Sequence, residues 1–171
     1  MALQRLALLI TVSVSLLAET RISTAGNQLS IELPAGFSRP SADIMSKVYP
    51  SGKGPDMFRY SAIDGTIIAD LASSSATPAF LPVIKARDER DLAKDIRPMR
   101  WIAREITTFL GKPSLHIEYI RTTGSEDMYY QAYYVLNNSN LVFFQFSIPE
   151  KQVNQYKDSF QKSLASIRFP R

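Results

Sequence analysis

His116 is the single histidine of a 171-residue chain that contains no cysteine. It stands in Ser114-Leu115-His116-Ile117-Glu118-Tyr119. Alternation there predicts a strand with Leu115, Ile117 and Tyr119 toward a core and Ser114, His116 and Glu118 on the other face. The chemistry such a row could do is acyl transfer, with Ser114 as nucleophile, His116 as base and Glu118 as orienting carboxylate. Spacing argues against it. Alternate residues of a strand are separated by about 6.5–7 Å at ~3.3 Å rise per residue, so contact along the row is not assured, and no Gly-x-Ser-x-Gly elbow accompanies it. No catalytic residue is expected.

With one His and no Cys, a metal would have to be held by oxygen. Asp88, Glu89, Asp91 and Asp95 cluster, but Arg87, Arg90 and Lys94 are interleaved and the calcium-loop glycine pattern is missing. Acids opening a helix, near the positive end of its dipole, account for the cluster. Neither a metal nor a cofactor is expected.

A basic stripe is the stronger binding candidate. Arg90, Lys94, Arg97, Trp101 and Arg104 recur at helical steps, with Arg100 beside them. On one helix they would form a cationic face around the single Trp, suited to an acidic protein partner and to weak contact with an anionic membrane surface. The competing reading is a solvated face with local ion pairs, such as Asp91 with Lys94 and Arg87 with Asp91, and Trp101 packed on the sheet edge.

These residues need elements to hold them. Residues 88–110 carry Leu92, Ile96, Met99, Ala103, Ile106 and Leu110 at steps of three and four, which predicts one long helix. Pro98 interrupts the ladder, so a kink or two consecutive helices are expected there; Gly111 suits the helix end and Pro113 forbids continuation. Residues 29–33 predict a short strand, and residues 44–49 another. Asp64-Gly65, between the β-rich runs 57–63 and 66–72, predicts a hairpin with Gly in a left-handed turn position. The stretches 50–55 and 73–78 are rich in breakers and read as loops, the second of them mobile. Three further β-runs, 114–122, 128–136 and 141–148, form a meander dense in Tyr and Phe. Both of its faces carry large apolar groups, so both need cover. An amphipathic helix over residues 150–166, with Val153, Tyr156, Phe160 and Leu164 on one side, is one such cover. The fold class is α+β, a largely antiparallel sheet flanked by helices in an αβα sandwich.

The N-terminus has the three parts of an export signal. Arg5 is followed by an apolar run over residues 6–18 and then a polar stretch whose Ser23 and Ala25 suit the −3 and −1 positions of a signal peptidase. Spanning a bilayer takes about 20 apolar residues, and this run is shorter. Residues 1–25 are therefore expected to be a cleaved leader, and 26–171 a single domain in the periplasm. Without Cys there is neither a lipid attachment point nor a disulfide, so the domain is held by its core. At 45% hydrophobic and 21% charged residues, with net charge +4, the composition is globular and mildly basic. Nucleic acid is not an expected partner in that compartment.

The order of parts resembles the DcrB/PsbP-type fold family. A short strand ends in Leu33-Pro34-Ala35-Gly36-Phe37; a hairpin, a helix and the aromatic meander follow; the chain closes on a helix with Phe160 and then Ser166-Ile167-Arg168-Phe169. The resemblance implies a binding or assembly protein. The expected function is a non-enzymatic periplasmic accessory protein, a chaperone or an immunity protein linked to a secreted toxin. The alternative is a carrier of a lipid or other apolar small ligand.

Overall fold

The computed structural model describes residues 21–94 and 97–170. Most of the expected leader, together with Asp95 and Ile96, lies outside the described residues.

Six antiparallel strands form the main sheet in the order β3-β4-β8-β7-β6-β5. The meander expected from the Tyr- and Phe-rich runs is its centre: β6 (Lys112–Thr123), β7 (Glu126–Asn137) and β8 (Asn140–Pro149). Register follows side-chain parity. Tyr129, Tyr133 and Val135 join Val142, Phe144, Phe146 and Ile148 on one face, while Tyr130, Tyr134 and Leu136 join Leu141 and Phe143 on the other.

Helix α3 (Val153–Ser166) covers the first face with buried Phe160 and Leu164. Helix α2 (Phe80–Ala93) covers part of the second with buried Leu81 and Ile84. Two hydrophobic clusters separated by one sheet make the αβα sandwich.

The long helix expected over 88–110 is not present. The chain forms α2, then an edge strand β5 (Met99–Phe109) that pairs with β6 along its whole length. Pro98, with no N–H to donate, prevents a helix from running on into the segment that follows. Beyond it Trp101, Ile102, Ile106, Thr107, Thr108 and Phe109 favour a pleated surface. The expected stripe is split across the sheet: Ala103 opposes Glu118 and Ile106 opposes Leu115, which lie on opposite faces. Pro82 enters α2 in its first turn, where no intrahelical donor is lost.

The strand expected over residues 44–49 is not present either: residues 44–48 belong to helix α1 (Ala42–Val48), and Tyr49 is its C-cap. Ser41 caps it by accepting from the Ile44 N–H, and Lys47 pairs with Asp43 one turn back at 2.8 Å. The hairpin of β3 (Asp56–Tyr60) and β4 (Gly65–Ser73) is as expected, but its turn is a 3-10 turn over Ser61–Ile63. Asp64, not Gly65, takes the left-handed conformation, at φ 49°. Gly65 is required for space instead, because a Cβ there would lie 2.8 Å from Phe37 Cζ. The loop after β4 is pinned rather than free: Ala76 is buried and its N–H donates to Ser139 O at 2.8 Å.

A second, two-stranded sheet pairs β1 (Arg21–Thr24) with β2 (Leu29–Glu32). A cut after Ala25 would separate β1 from its partner.

Candidate functional site

Among the described residues two places bring the candidate side chains together, and the first contains His116. Ser114, His116 and Glu118 do share a face, but α3 covers it. Ser114 is fully buried, and its hydroxyl donates to Lys112 O at 2.9 Å. That hydroxyl is committed to the backbone, out of reach of any substrate.

His116 and Glu118 approach more closely than strand spacing alone predicts, because both side chains lean along the strand. His116 Nε2 is 3.4 Å from Glu118 Oε2, and Nδ1 is 3.9 Å from Glu105 Oε1 on β5. Nε2 is buried and makes no hydrogen bond. The ring stacks on Tyr133, with centroids 4.5 Å apart at 10°. Glu118 Oε1 accepts from the Tyr129 hydroxyl at 2.8 Å. Burial pushes the Tyr129 phenol well above its ordinary value, and the Glu118 carboxylate pushes it further. A cleft of about 310 Å³ opens here between Glu118, Tyr129 and Gln131 on the sheet and Asn154, Lys157 and Gln161 on α3.

Burial lowers the His116 pKa below 6.5, and Glu118 and Glu105 only partly offset this. A group whose folded pKa is depressed binds fewer protons folded than unfolded, so its contribution to stability is complete above the unfolded value and lost as pH falls. Between pH 7.5 and 5.5 the melting temperature is therefore expected to fall. It should fall less in His116→Gln. Equal slopes by calorimetry would show that other groups control this window.

The second place is where α2 ends beside β5. Trp101 is half-buried, edge-to-face with Tyr119 at 5.6 Å, and Tyr119 stacks on Tyr130 at 4.8 Å. The Arg104 guanidinium lies 5.3 Å above the Trp101 ring and 3.5 Å from Glu89 Oε1 of α2. Arg90 and Lys94, at the end of α2, both approach Asp91, at 3.7 and 2.9 Å.

The basic residues therefore do not lie on one helix. Arg90 and Lys94 belong to α2 and its end, Arg97 to the exposed connection, and Trp101 and Arg104 to β5 on the α2 side of the sheet. Arg100 points to the opposite face and pairs with Glu150 at 2.6 Å. The sequence carried no sign of the Tyr119–Tyr130 pair beneath Trp101, because that contact depends on register between three strands.

The acids Asp88, Glu89 and Asp91 occupy the second half of α2, not a helix start, so the dipole account fails for them. Neighbouring cations neutralise them: Arg87 donates to Asp88 at 2.8 Å, Lys85 to Glu89 at 2.7 Å and Lys94 to Asp91. Among the described residues no group of three or more His, Asp or Glu is placed to hold a metal ion. Under these acids a cleft of about 270 Å³ is floored by Ile117, Tyr119, Ala132, Tyr134 and Phe143.

The six-stranded antiparallel sheet between helices is an α+β fold of the PsbP-like kind. The chain is similar to the cyanobacterial PsbP protein CyanoP of Synechocystis sp. PCC 6803, with a TM-score of 0.62 and 17% identity over 88% of this chain and 92% of that one. It is similar as well to LpqN of Mycobacterium tuberculosis, described as involved in cell envelope biogenesis, with a TM-score of 0.55 and 11% identity over 83% of each chain. Protein PA94 of Pseudomonas aeruginosa, described as a putative regulator of unknown function, aligns with a TM-score of 0.50 and 12% identity over 70% of this chain and 77% of that one. No family model and no curated protein matches the sequence. At these identities the likeness establishes the fold. No helix among the described residues is long and apolar enough to cross a membrane.

Proposed function

We propose that the chain is an exported, non-enzymatic accessory protein that binds an acidic protein partner through the surface where α2 meets β5. One observation carries this reading: Trp101 is braced by Tyr119 and Arg104 yet keeps part of its ring in solvent. A rigid, half-exposed Trp beside guanidinium groups has the composition of an interface anchor. Arg90, Lys94 and Arg97 supply the surrounding positive charge, and β5 adds a sheet edge with exposed Ile102 and Ile106. The committed hydroxyl of Ser114 weighs against acyl-transfer catalysis. The involvement of LpqN in cell envelope biogenesis supports export, and the DcrB side of the family resemblance favours a chaperone or toxin-immunity role.

Crosslinking and pull-down from periplasmic extract test the reading. Trp101→Ala and Arg104→Glu are each expected to reduce partner recovery at least tenfold, as loss of an interface anchor does. Arg100→Glu, on the opposite face, is expected to leave recovery unchanged. An unaltered partner set in both β5 variants would remove this surface from consideration.

The apolar floor of the cleft under α2 supports the second reading, a carrier of a small apolar ligand. A fatty acid should then raise the melting temperature, and Ala132→Phe should abolish that shift.

A further inference from the structure

The export reading places the peptidase cut after Ala25, where Ser23 and Ala25 have the right sizes. The structure gives those same residues a different role. Strand β1 forms a complete antiparallel ladder with β2, from Arg21 opposite Glu32 to Thr24 opposite Leu29. Thr24 and Ala25 are each only 2% exposed, and Ala25 belongs to the α3-side core cluster. Ala25 also adopts φ 52°, followed by Gly26 at 62° and Asn27 at 66°. A non-glycine residue in that region costs about 1 kcal/mol or more and persists only where its surroundings enforce it.

The surroundings here come from distant parts of the chain. Asp56 of β3 accepts from the Thr24 hydroxyl at 2.6 Å and from the Ala25 N–H at 3.0 Å through Oδ2, while its Oδ1 accepts from Arg39 at 2.6 Å. Burial alone would raise the Asp56 pKa, but these hydrogen bonds hold it below the ordinary carboxylate value. At the other end of β1, Arg21 donates to Glu32 Oε1 at 2.5 Å and to Ser166 O at the end of α3 at 3.0 Å. The far side of β2 is occupied as well, since Ser30 exchanges two backbone hydrogen bonds with Arg168, each 2.9 Å. Strand β2 is thus the middle of three extended segments. Without β1 one of its edges would be open and unpaired, Asp56 would lose two of its three donors, and Arg21 would be lost from the closing end of α3.

We infer that the leader is removed upstream of Arg21, so that the exported protein keeps β1 as its first structural element. This rests on the export reading. Peptidase selection precedes folding, so the cut must be written in the sequence ahead of β1. Ala18, the last residue of the apolar run, supplies a small −1 residue there, with Leu16 at −3. The mature chain would then begin at Glu19.

The test expresses the full chain with its own leader in a bacterium and measures the intact mass and N-terminal peptide of the periplasmic product. An N-terminus at Glu19, or elsewhere ahead of Arg21, is the expected result. An N-terminus at Gly26 overturns the inference. A full-length chain retained in the cytoplasm would overturn the export reading instead, which separates the two failures. Two leader variants extend the test, because processing is read on the unfolded precursor. Ala18→Tyr is expected to abolish the processed form, whereas Ala25→Tyr is expected to leave processing intact even where it impairs folding. Loss of processing in Ala25→Tyr alone would place the cut at the −1 position that the small-residue pattern first suggests.

Discussion

Replacing Phe146 with alanine is expected to lower the free energy of unfolding by about 3–5 kcal/mol, the range for removing a fully buried aromatic ring. Phe146 has no exposed surface and sits on β8, with Ile67 of β4 opposite on one side and Gln131 of β7 on the other. Its ring is 5.1 Å from that of Phe160 on α3 and 6.4 Å, edge-on, from that of Phe144. Neither neighbour can fill the space, since hydrogen-bonded strands hold both sides of β8 and α3 is tied down at its far end. The Ser163 hydroxyl of that helix donates to Glu32 O, and Ser166 Oγ accepts from the Glu32 N–H at 2.8 Å. A cavity therefore remains, and the cost stays near the top of the range. Urea denaturation of Phe146→Ala against Ile102→Ala, whose side chain is exposed on β5, checks it. A loss below 1.5 kcal/mol in Phe146→Ala would mean that α3 collapses onto the sheet and that the face is less rigid than its contacts imply.

The meander was legible because two constraints agreed there. Tyr129 and Tyr130 are adjacent and both apolar, so whichever way the strand faces, each side of the sheet acquires an aromatic ring and requires a cover. Phe160 and Leu164 at helical spacing supplied that cover without reference to anything else in the chain. Residues 99–109 were misread because their apolar positions fit two periods. Steps of three and four describe a helix, but the same residues satisfy a strand whose pairing shifts between Trp101 and Ala103. Only the partner strand decides between them, and it does so through hydrogen bonds no local window contains. Strand β1 was hidden for a different reason: Ser23 and Ala25 are small, which suits a peptidase pocket and a tight, buried hairpin corner equally well.

The site was legible in composition and not in arrangement. The pairing of His116 with Glu118 was discounted on backbone distance, yet side chains close that gap to 3.4 Å. The basic residues were identified, but their common face was derived from a helix that ends at Ala93. What joins Arg104 to α2 is a contact with Glu89, and what steadies Trp101 is Tyr119. Both depend on β5 lying beside β6 with α2 above them. Such long-range placement fixes which charges are near the Trp and which, like Arg100, face away.

Gly36→Ala is expected to destabilise the domain by about 2–4 kcal/mol, through a backbone cost of about 1–2 kcal/mol and a steric cost of comparable size. Gly36 lies at φ 90° in the turn Leu33-Pro34-Ala35-Gly36-Phe37, closed by the Phe37 N–H donating to Pro34 O at 3.2 Å. A Cβ at this position would lie 2.6 Å from two atoms of the Tyr60 ring. That ring is not free to retreat, because Phe37 and Tyr156 meet it edge-on at 5.8 and 6.4 Å. Displacing it would move Phe37 out of the pocket it shares with Phe160 and so loosen α3 from the sheet. Gly111 provides the comparison, with φ 76° but nothing within 4 Å of its would-be Cβ. Gly111→Ala should therefore show the backbone cost alone. Combining Gly36→Ala with Tyr60→Ala should recover the steric part, giving a non-additive cycle. Equal losses at Gly36 and Gly111, with no coupling to Tyr60, would mean that the ring yields and that this turn is fixed by backbone conformation alone.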